Sequence, residues 1–232
     1  MILTGKIDRI DICREGDVLY LKIVDYKTGT EKFDAVKVLN GLQLQLPLYL
    51  QETLEAEKAA GRHVIPAGML YHEIKDPVID GKKVEGEKSP DEVRLGELKE
   101  NGMISYDEAV LGHMDHAFRE GKTESKVLPL KLDKKGGRYR SDVTYTEDHF
   151  RTLGSYALAC AKGIGEAIMS GQVEVRPYLY GSESGCTYCA YRDVCGFDPS
   201  LPDAPVRRIG KIGEKAAFLE MEEALKKTGD TK

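Results

Sequence analysis

The sequence has no apolar run approaching the roughly 20 residues that a membrane-spanning helix requires, and its opening, Met1-Ile2-Leu3-Thr4-Gly5-Lys6, has no secretory h-region. A cytoplasmic protein with no membrane partner is therefore the expectation. A net basic field is also missing. Lys and Arg total 34 against 39 Asp and Glu, for a formal charge of −5. That balance excludes bulk attraction of nucleic acid but leaves a local basic cleft open. No G-x-x-x-x-G-K-[ST] pattern occurs, so P-loop ATP hydrolysis is not the work of this chain. There is no internal repeat and no even cysteine framework. The five cysteines are Cys13, Cys160, Cys186, Cys189 and Cys195, and three of them crowd the segment 186–195. Without a secretory leader, such clustering favours a metal site over disulfides.

What is present fits an ordinary globular chain of 232 residues, 41% hydrophobic and 31% charged. Residues 2–27 read as two strands, Leu3–Cys13 and Val18–Asp25, joined by the turn-forming Arg14-Glu15-Gly16-Asp17. The second strand is apolar on both faces and belongs in a sheet interior. After Thr28-Gly29-Thr30, helical spacing of Leu42, Leu46, Tyr49, Leu50 and Leu54 predicts a helix from about Gly41 to Ala60, with Pro47 tolerated near its start. Pro66–Ile74 reads as a further strand. Residues 75–105 are polar and read as irregular. Asp107–Arg119 and Thr146–Ser170 read as helices, and the basic run Lys131–Arg140 as a hairpin or loop. From Leu201 a Pro-containing linker leads to a charged helix, Glu214–Lys227.

The hairpin brings chemistry-bearing residues together. With Arg14–Asp17 as the turn, Asp8 lies opposite Ile23, and strand alternation puts Asp8, Asp25 and Lys27 on one face. Asp8 and Asp25 are then diagonal neighbours, with Cα atoms roughly 7–8 Å apart. Charges among apolar strand residues need a reason, because an unpaired buried carboxylate is costly. Two reasons fit the local pattern. One is an ion pair of Lys27 with either aspartate at a solvated sheet end. The other is a hard divalent cation held by the carboxylates, with the lysine directed at the reacting group. Such a centre suits phosphodiester hydrolysis, by polarising the phosphoryl group and stabilising developing charge.

Three ordered segments, Gly5-Lys6-Ile7-Asp8-Arg9-Ile10-Asp11, Val24-Asp25-Tyr26-Lys27-Thr28-Gly29 and Gln45-Leu46-Pro47-Leu48-Tyr49, resemble the RecB-type branch of the PD-(D/E)XK nucleases. The resemblance implies an α/β fold, with a restriction-endonuclease-like core and a central mixed sheet flanked by helices. It assigns Mg²⁺ (or Mn²⁺) to Asp8, Asp25 and the carbonyl of Tyr26, and makes Lys27 the catalytic lysine. Gln45 and Tyr49 match the QxxxY motif and would stand beside the metal and the DNA, on one helix face because they are four apart. Cys186, Cys189 and Cys195 match a C-x2-C-x5-C element that holds a [4Fe–4S] cluster in related nucleases, with its fourth cysteine upstream of the first motif and so outside this chain. Pro66–Tyr71, Met103–Asp115, Lys126–Lys131 and Ser170–Pro177 extend the resemblance to the C-terminal nuclease domain of AddB-type helicase–nucleases.

The expected organisation is thus a nuclease domain over 1–200, with a family-specific insertion at 75–140 and the cysteine cluster at 186–195, followed by linker and charged helix over 201–232. The helix that usually precedes the first motif strand is expected to be missing, as in a fragment. The implied work is degradation of DNA, single-stranded at this site, during resection of double-strand breaks, beside an AddA-type helicase–nuclease partner. Two rivals remain: a truncated domain that binds DNA or a helicase without cutting, and a free-standing CRISPR-associated RecB-like exonuclease. The five histidines have no metal-ligand spacing that the fold reading supports, and His113 and His116 read as helix packing or surface residues.

Overall fold

A computed structural model describes residues 2–79, 89–131, 144–199, 201 and 203–229. The chain runs β1 (Arg9–Glu15), β2 (Val18–Lys27), α1 (Ala35–Leu39), α2 (Gln45–Ala59), β3 (His63–Glu73), α3 (Pro90–Glu97), β4 (Asn101–Ser105), α4 (Glu108–Met114) and α5 (His116–Arg119). It continues with β5 (Thr144–Tyr145), α6 (Glu147–Met169), β6 (Tyr178–Tyr180), β7 (Glu183–Ser184), α7 (Arg192–Cys195), β8 (Arg207–Arg208) and α8 (Glu214–Thr228). The basic run at 132–140 lies outside the described residues.

The main sheet has five strands in the order β1-β2-β3-β4-β5. β1 and β2 are antiparallel, β2 and β3 parallel, β3 and β4 antiparallel, and β4 and β5 parallel. This is the expected mixed α/β sheet, and β2 is interior. Its odd residues Leu19, Leu21 and Ile23 join the larger core with Leu46, Leu50 and Leu54 of α2 and Phe150 and Leu153 of α6. On the far face Leu70 and Ile104 meet Leu111, Leu128 and Leu130 in a second, smaller cluster. Full burial of a side chain such as Leu21 contributes roughly 1.5–3 kcal/mol, so these two faces fix the register of the sheet.

The register of β3 carries one irregularity. Leu21 pairs with Pro66 but Lys22 pairs with Gly68, so Ala67 is an extra residue. The bulge accommodates Pro66, which cannot donate to a ladder. It also reverses the alternation, and Val64 and Met69, five apart, both face the larger core. Gly68 then lets β4 approach closely, since a Cβ there would lie 2.8 Å from the Met103 carbonyl oxygen.

Three expectations are corrected. The stretch 75–105 is not irregular throughout: β4 is a core strand with Met103 and Ile104 fully buried, and α3 opens with a Ser89–Glu92 capping box. Two consecutive apolar residues are too short a run to announce a strand. The helix expected from Gly41 begins at Gln45, because a separate short α1 precedes it, capped by Asp34 Oδ1 accepting from Val36 N at 2.8 Å. Gly41, at φ +73, turns the chain between the two. Pro47 falls in the first turn of α2, where its missing N–H is harmless. The Asp107–Arg119 helix is broken into α4 and α5 at Asp115, whose Oδ1 caps the second by accepting from Ala117 N at 2.9 Å. The helix within 201–232 is amphipathic: Ala217, Phe218 and Met221 of α8 enter the larger core beside α6. Among the described residues no helix precedes β1, and no helix is long and apolar enough to cross a membrane.

Candidate active site

The hairpin is tighter than its composition predicts. Glu15 pairs with Val18, leaving only Gly16 and Asp17 as the turn. Gly16 has φ +55 and Asp17 does not have positive φ, the sign pattern of a type II′ hairpin turn. The register therefore shifts by two residues, with Arg9 opposite Val24 rather than Asp8 opposite Ile23. A shift of two preserves the alternation. Continued by one step beyond the ladder, it sets Asp8 against Asp25 itself, directly opposite rather than diagonal. Asp8 lies in a bend just before β1, and its Oδ2 accepts from Tyr26 N at 3.1 Å.

Asp25 is 2% exposed, at the end of the buried face of β2. Its Oδ2 is buried and accepts no hydrogen bond of proper geometry, although Lys27 Nζ stands 2.6 Å away as an ion pair. The ammonium balances the charge without satisfying the oxygen's directional demand. Lys27 instead donates to Gln45 Oε1 at 3.1 Å, and its Nζ stands over the Tyr71 ring, 5.6 Å from the centroid. Burial, followed by the charges of Glu31 and Asp25, pushes the Tyr71 phenol well above its ordinary range, so it stays neutral. Gln45 Nε2 reaches the Tyr49 hydroxyl at 3.5 Å across one turn of α2. The expected residues Asp8, Asp25, Lys27, Gln45 and Tyr49 are thus linked around one sheet end, with Tyr26 between the second aspartate and the lysine.

Several residues of this neighbourhood have no signature in the sequence. Gln43, 9% exposed, accepts from Asp34 N at 3.0 Å and donates to the Lys32 carbonyl at 2.9 Å. Asn101 of β4 donates to the Glu31 carbonyl at 2.7 Å. Together they fix the segment that leaves Lys27. Tyr71 becomes visible only once β3 lies beside β2. Gly5 stands inside the first motif, but its role is steric: a Cβ there would lie 2.7 Å from Tyr49 Cε1 and 2.8 Å from its hydroxyl.

Two oxygen-rich side chains at one strand end, one carrying a buried oxygen met by an ammonium but by no hydrogen bond of proper geometry, suit a hard divalent cation. The cysteines are different. All five are free; Cys186 is half-buried, while Cys189 and Cys195 are exposed. Among the described residues no three His, Cys, Asp or Glu side chains are gathered to hold a metal. As placed, the triplet does not form the four-thiolate set that an iron–sulfur cluster requires.

Residues 1–196 match the family model of the PD-(D/E)XK nuclease superfamily. The chain is 38% identical over 213 residues to the B-type subunit of an ATP-dependent helicase/deoxyribonuclease of Moorella thermoacetica, covering 91% of this chain and 18% of that protein. A protein of the same description from Desulforamulus reducens is 33% identical over 226 residues, 97% of this chain and 19% of its own length. Another from Oceanobacillus iheyensis is 33% identical over 92% of this chain and 18% of its own. The chain therefore spans about a fifth of the length of these curated relatives.

Proposed function

Because the chain belongs to the PD-(D/E)XK nuclease superfamily, we propose that it cleaves DNA by metal-dependent phosphodiester hydrolysis at the Asp8–Asp25–Lys27 centre. The observation that carries this reading is Asp25 Oδ2, buried beside the Lys27 ammonium at 2.6 Å without a hydrogen bond of proper geometry, on the strand face that Asp8 joins one step beyond the β1–β2 ladder. Asp8, Asp25 and the Tyr26 carbonyl would hold Mg²⁺ or Mn²⁺. When bound, such an ion supplies Lewis-acid polarisation of the scissile phosphoryl group. Lys27 directs a cationic donor at the charge that develops on the phosphoryl oxygens. Gln45 Oε1 takes one of its three N–H bonds and so fixes where the others point. Tyr49 fixes Gln45 in turn, and the pair on the exposed start of α2 is proposed to meet the DNA strand.

The relatives' description as helicase/deoxyribonuclease components supports a place in double-strand-break resection, beside an AddA-type partner that delivers single-stranded DNA. The C-x2-C-x5-C spacing supports a [4Fe–4S] group at Cys186, Cys189 and Cys195; its test is iron and sulfide content after anaerobic purification. No step of the reaction is drawn through it.

The deciding experiment compares wild type with Asp25→Asn on a single-stranded oligonucleotide with and without Mg²⁺, and follows thermal melting with metal titration. Wild type is expected to cut only with metal and to gain melting temperature as metal is added. Asp25→Asn is expected to lose both responses, with kcat down by at least about 10²–10³. Equal cleavage by Asp25→Asn would refute the centre. Oligonucleotide binding by wild type without metal-dependent turnover would instead mark a non-cleaving DNA-binding domain.

A further inference from the structure

The register of the main sheet sets a row of side chains beside Asp25. Asp25 of β2 pairs with Tyr71 of β3, and Tyr71 pairs with Asn101 of β4. Paired residues of neighbouring strands share a face, so the three lie in line at one end of the sheet. The bulge at Ala67 decides which residue stands there. Leu21 pairs with Pro66, and unbroken counting from that pair would bring Leu70 to Asp25. The extra residue brings Tyr71 instead, and Leu70 turns to the smaller cluster on the far face. Tyr71 is buried, and Lys27 Nζ stands over its ring, 5.6 Å from the centroid.

Among the described residues three contacts hold that ammonium, and they differ in kind. Asp25 Oδ2 stands 2.6 Å away but makes no hydrogen bond of proper geometry with it. Gln45 Oε1 accepts one of its N–H donors at 3.1 Å. The Tyr71 ring attracts the charge through its face, consumes no donor and acts from the buried side. An aliphatic floor in its place would take water from the ammonium and return nothing. Lys27 is part-exposed, so its flexible stem would then carry the charge out to solvent. A divalent cation at Asp25 would compete for the carboxylate but not for the ring. Burial, followed by the charges of Glu31 and Asp25, keeps the phenol protonated, so the ring offers its face and no negative charge.

We propose that Tyr71 is the positioning residue for Lys27: its aromatic face, rather than its hydroxyl, keeps the ammonium beside Asp25. This role rests on the cleavage reading above, in which Lys27 meets the charge that develops on the phosphoryl oxygens. Were Tyr71 only a core residue, leucine would fill its place at a cost in stability alone. Were the hydroxyl the working group, phenylalanine would fail as fully as leucine.

The test begins with NMR of the full chain, isotopically labelled at lysine, without metal or DNA. Protons over a ring face resonate upfield, so the Lys27 Hε signal, identified by its loss in Lys27→Arg, is expected upfield of the other lysines. Tyr71→Leu should abolish that displacement and Tyr71→Phe should keep it. On a single-stranded oligonucleotide with Mg²⁺, Tyr71→Leu should lower kcat about 2- to 30-fold, the span of a cation–ring contact converted to rate, at unchanged KM. Tyr71→Phe should recover most of that loss. A folded Tyr71→Leu with wild-type kcat would overturn the role, as would equal losses in the two variants. If Tyr71→Leu does not fold, the wild-type spectrum still decides, because a Lys27 signal among the other lysines means that the ring does not hold it. Wild type that leaves the oligonucleotide uncut would count against the metal centre instead, and the spectrum would still judge the ring.

Discussion

Gly5→Ala adds one methyl group three residues before Asp8, and its effect can be worked from distances. Gly5 does not have positive φ, so alanine is not strained by the backbone there, and the cost is purely steric. The new Cβ would meet Tyr49 Cε1 at 2.7 Å and the hydroxyl at 2.8 Å. Ordinary carbon contacts lie at about 3.5–4.0 Å, so something must yield by about 1 Å. If the Tyr49 ring tilts, its 3.5 Å link to Gln45 is broken, and Lys27 loses the support of a fixed Gln45. If the chain lifts instead, Asp8 moves, and the Tyr26 N–H bond to its carboxylate is put at risk. A displacement of that size at a reacting centre costs about 10²-fold in rate. Stability should change little, by under about 1 kcal/mol, because residues 2–6 are exposed. Single-turnover cleavage of an oligonucleotide, paired with thermal melting, checks both halves. Wild-type rate in Gly5→Ala would refute the steric link, and a rate loss matched by lost folding would relocate its cause.

Met221→Ala removes a fully buried side chain of α8 and should destabilise by about 2–5 kcal/mol. Urea unfolding would show this as a lower midpoint at unchanged slope, whereas an unmoved midpoint would mean that α8 is not part of the core. Asp11 is pulled in two directions: burial raises its pKa, but hydrogen bonds from Arg9 and Lys22 and their charges prevail and hold it below the ordinary carboxylate value. A depressed carboxylate stabilises the fold above its unfolded pKa, about 3.9, and loses that contribution as pH falls through the folded value. Asp11→Asn should therefore be less stable than wild type at pH 7, with the gap closing below about pH 4. Melting temperatures across that range test it, and a constant gap would contradict the assignment.

Much of the site is legible in the sequence because it is local. Asp8, Asp25 and Lys27 share a face by strand alternation, and the two-residue error in the turn changed the pairing without changing the face. That error has a physical source: Arg14 and Glu15 have turn-like composition but lie exposed on an edge strand, where polar residues pair as readily as apolar ones. α1 was not legible, since helical spacing does not reveal a turn inserted at Gly41. β4 escaped because two buried apolar residues make no pattern. The surroundings of His113 were illegible for a different reason. Cys13 and Glu15 meet it across roughly a hundred residues of chain, a contact that only the finished fold creates.

The tight hairpin also bears on how the molecule assembles. Everything from Asp8 to Tyr49 is joined by short loops, whose closure costs little entropy. The larger core, by contrast, is completed by α8, which meets residues from the start of the chain only after nearly all of it is in place. Local contacts form faster than distant ones, so the pieces of the Asp8–Asp25–Lys27 cluster should gather early and α8 should dock late. Substitutions under α8 would then hasten unfolding while leaving the folding rate nearly untouched. The centre is thus laid down by the quickest steps, and its persistence is set by the slowest.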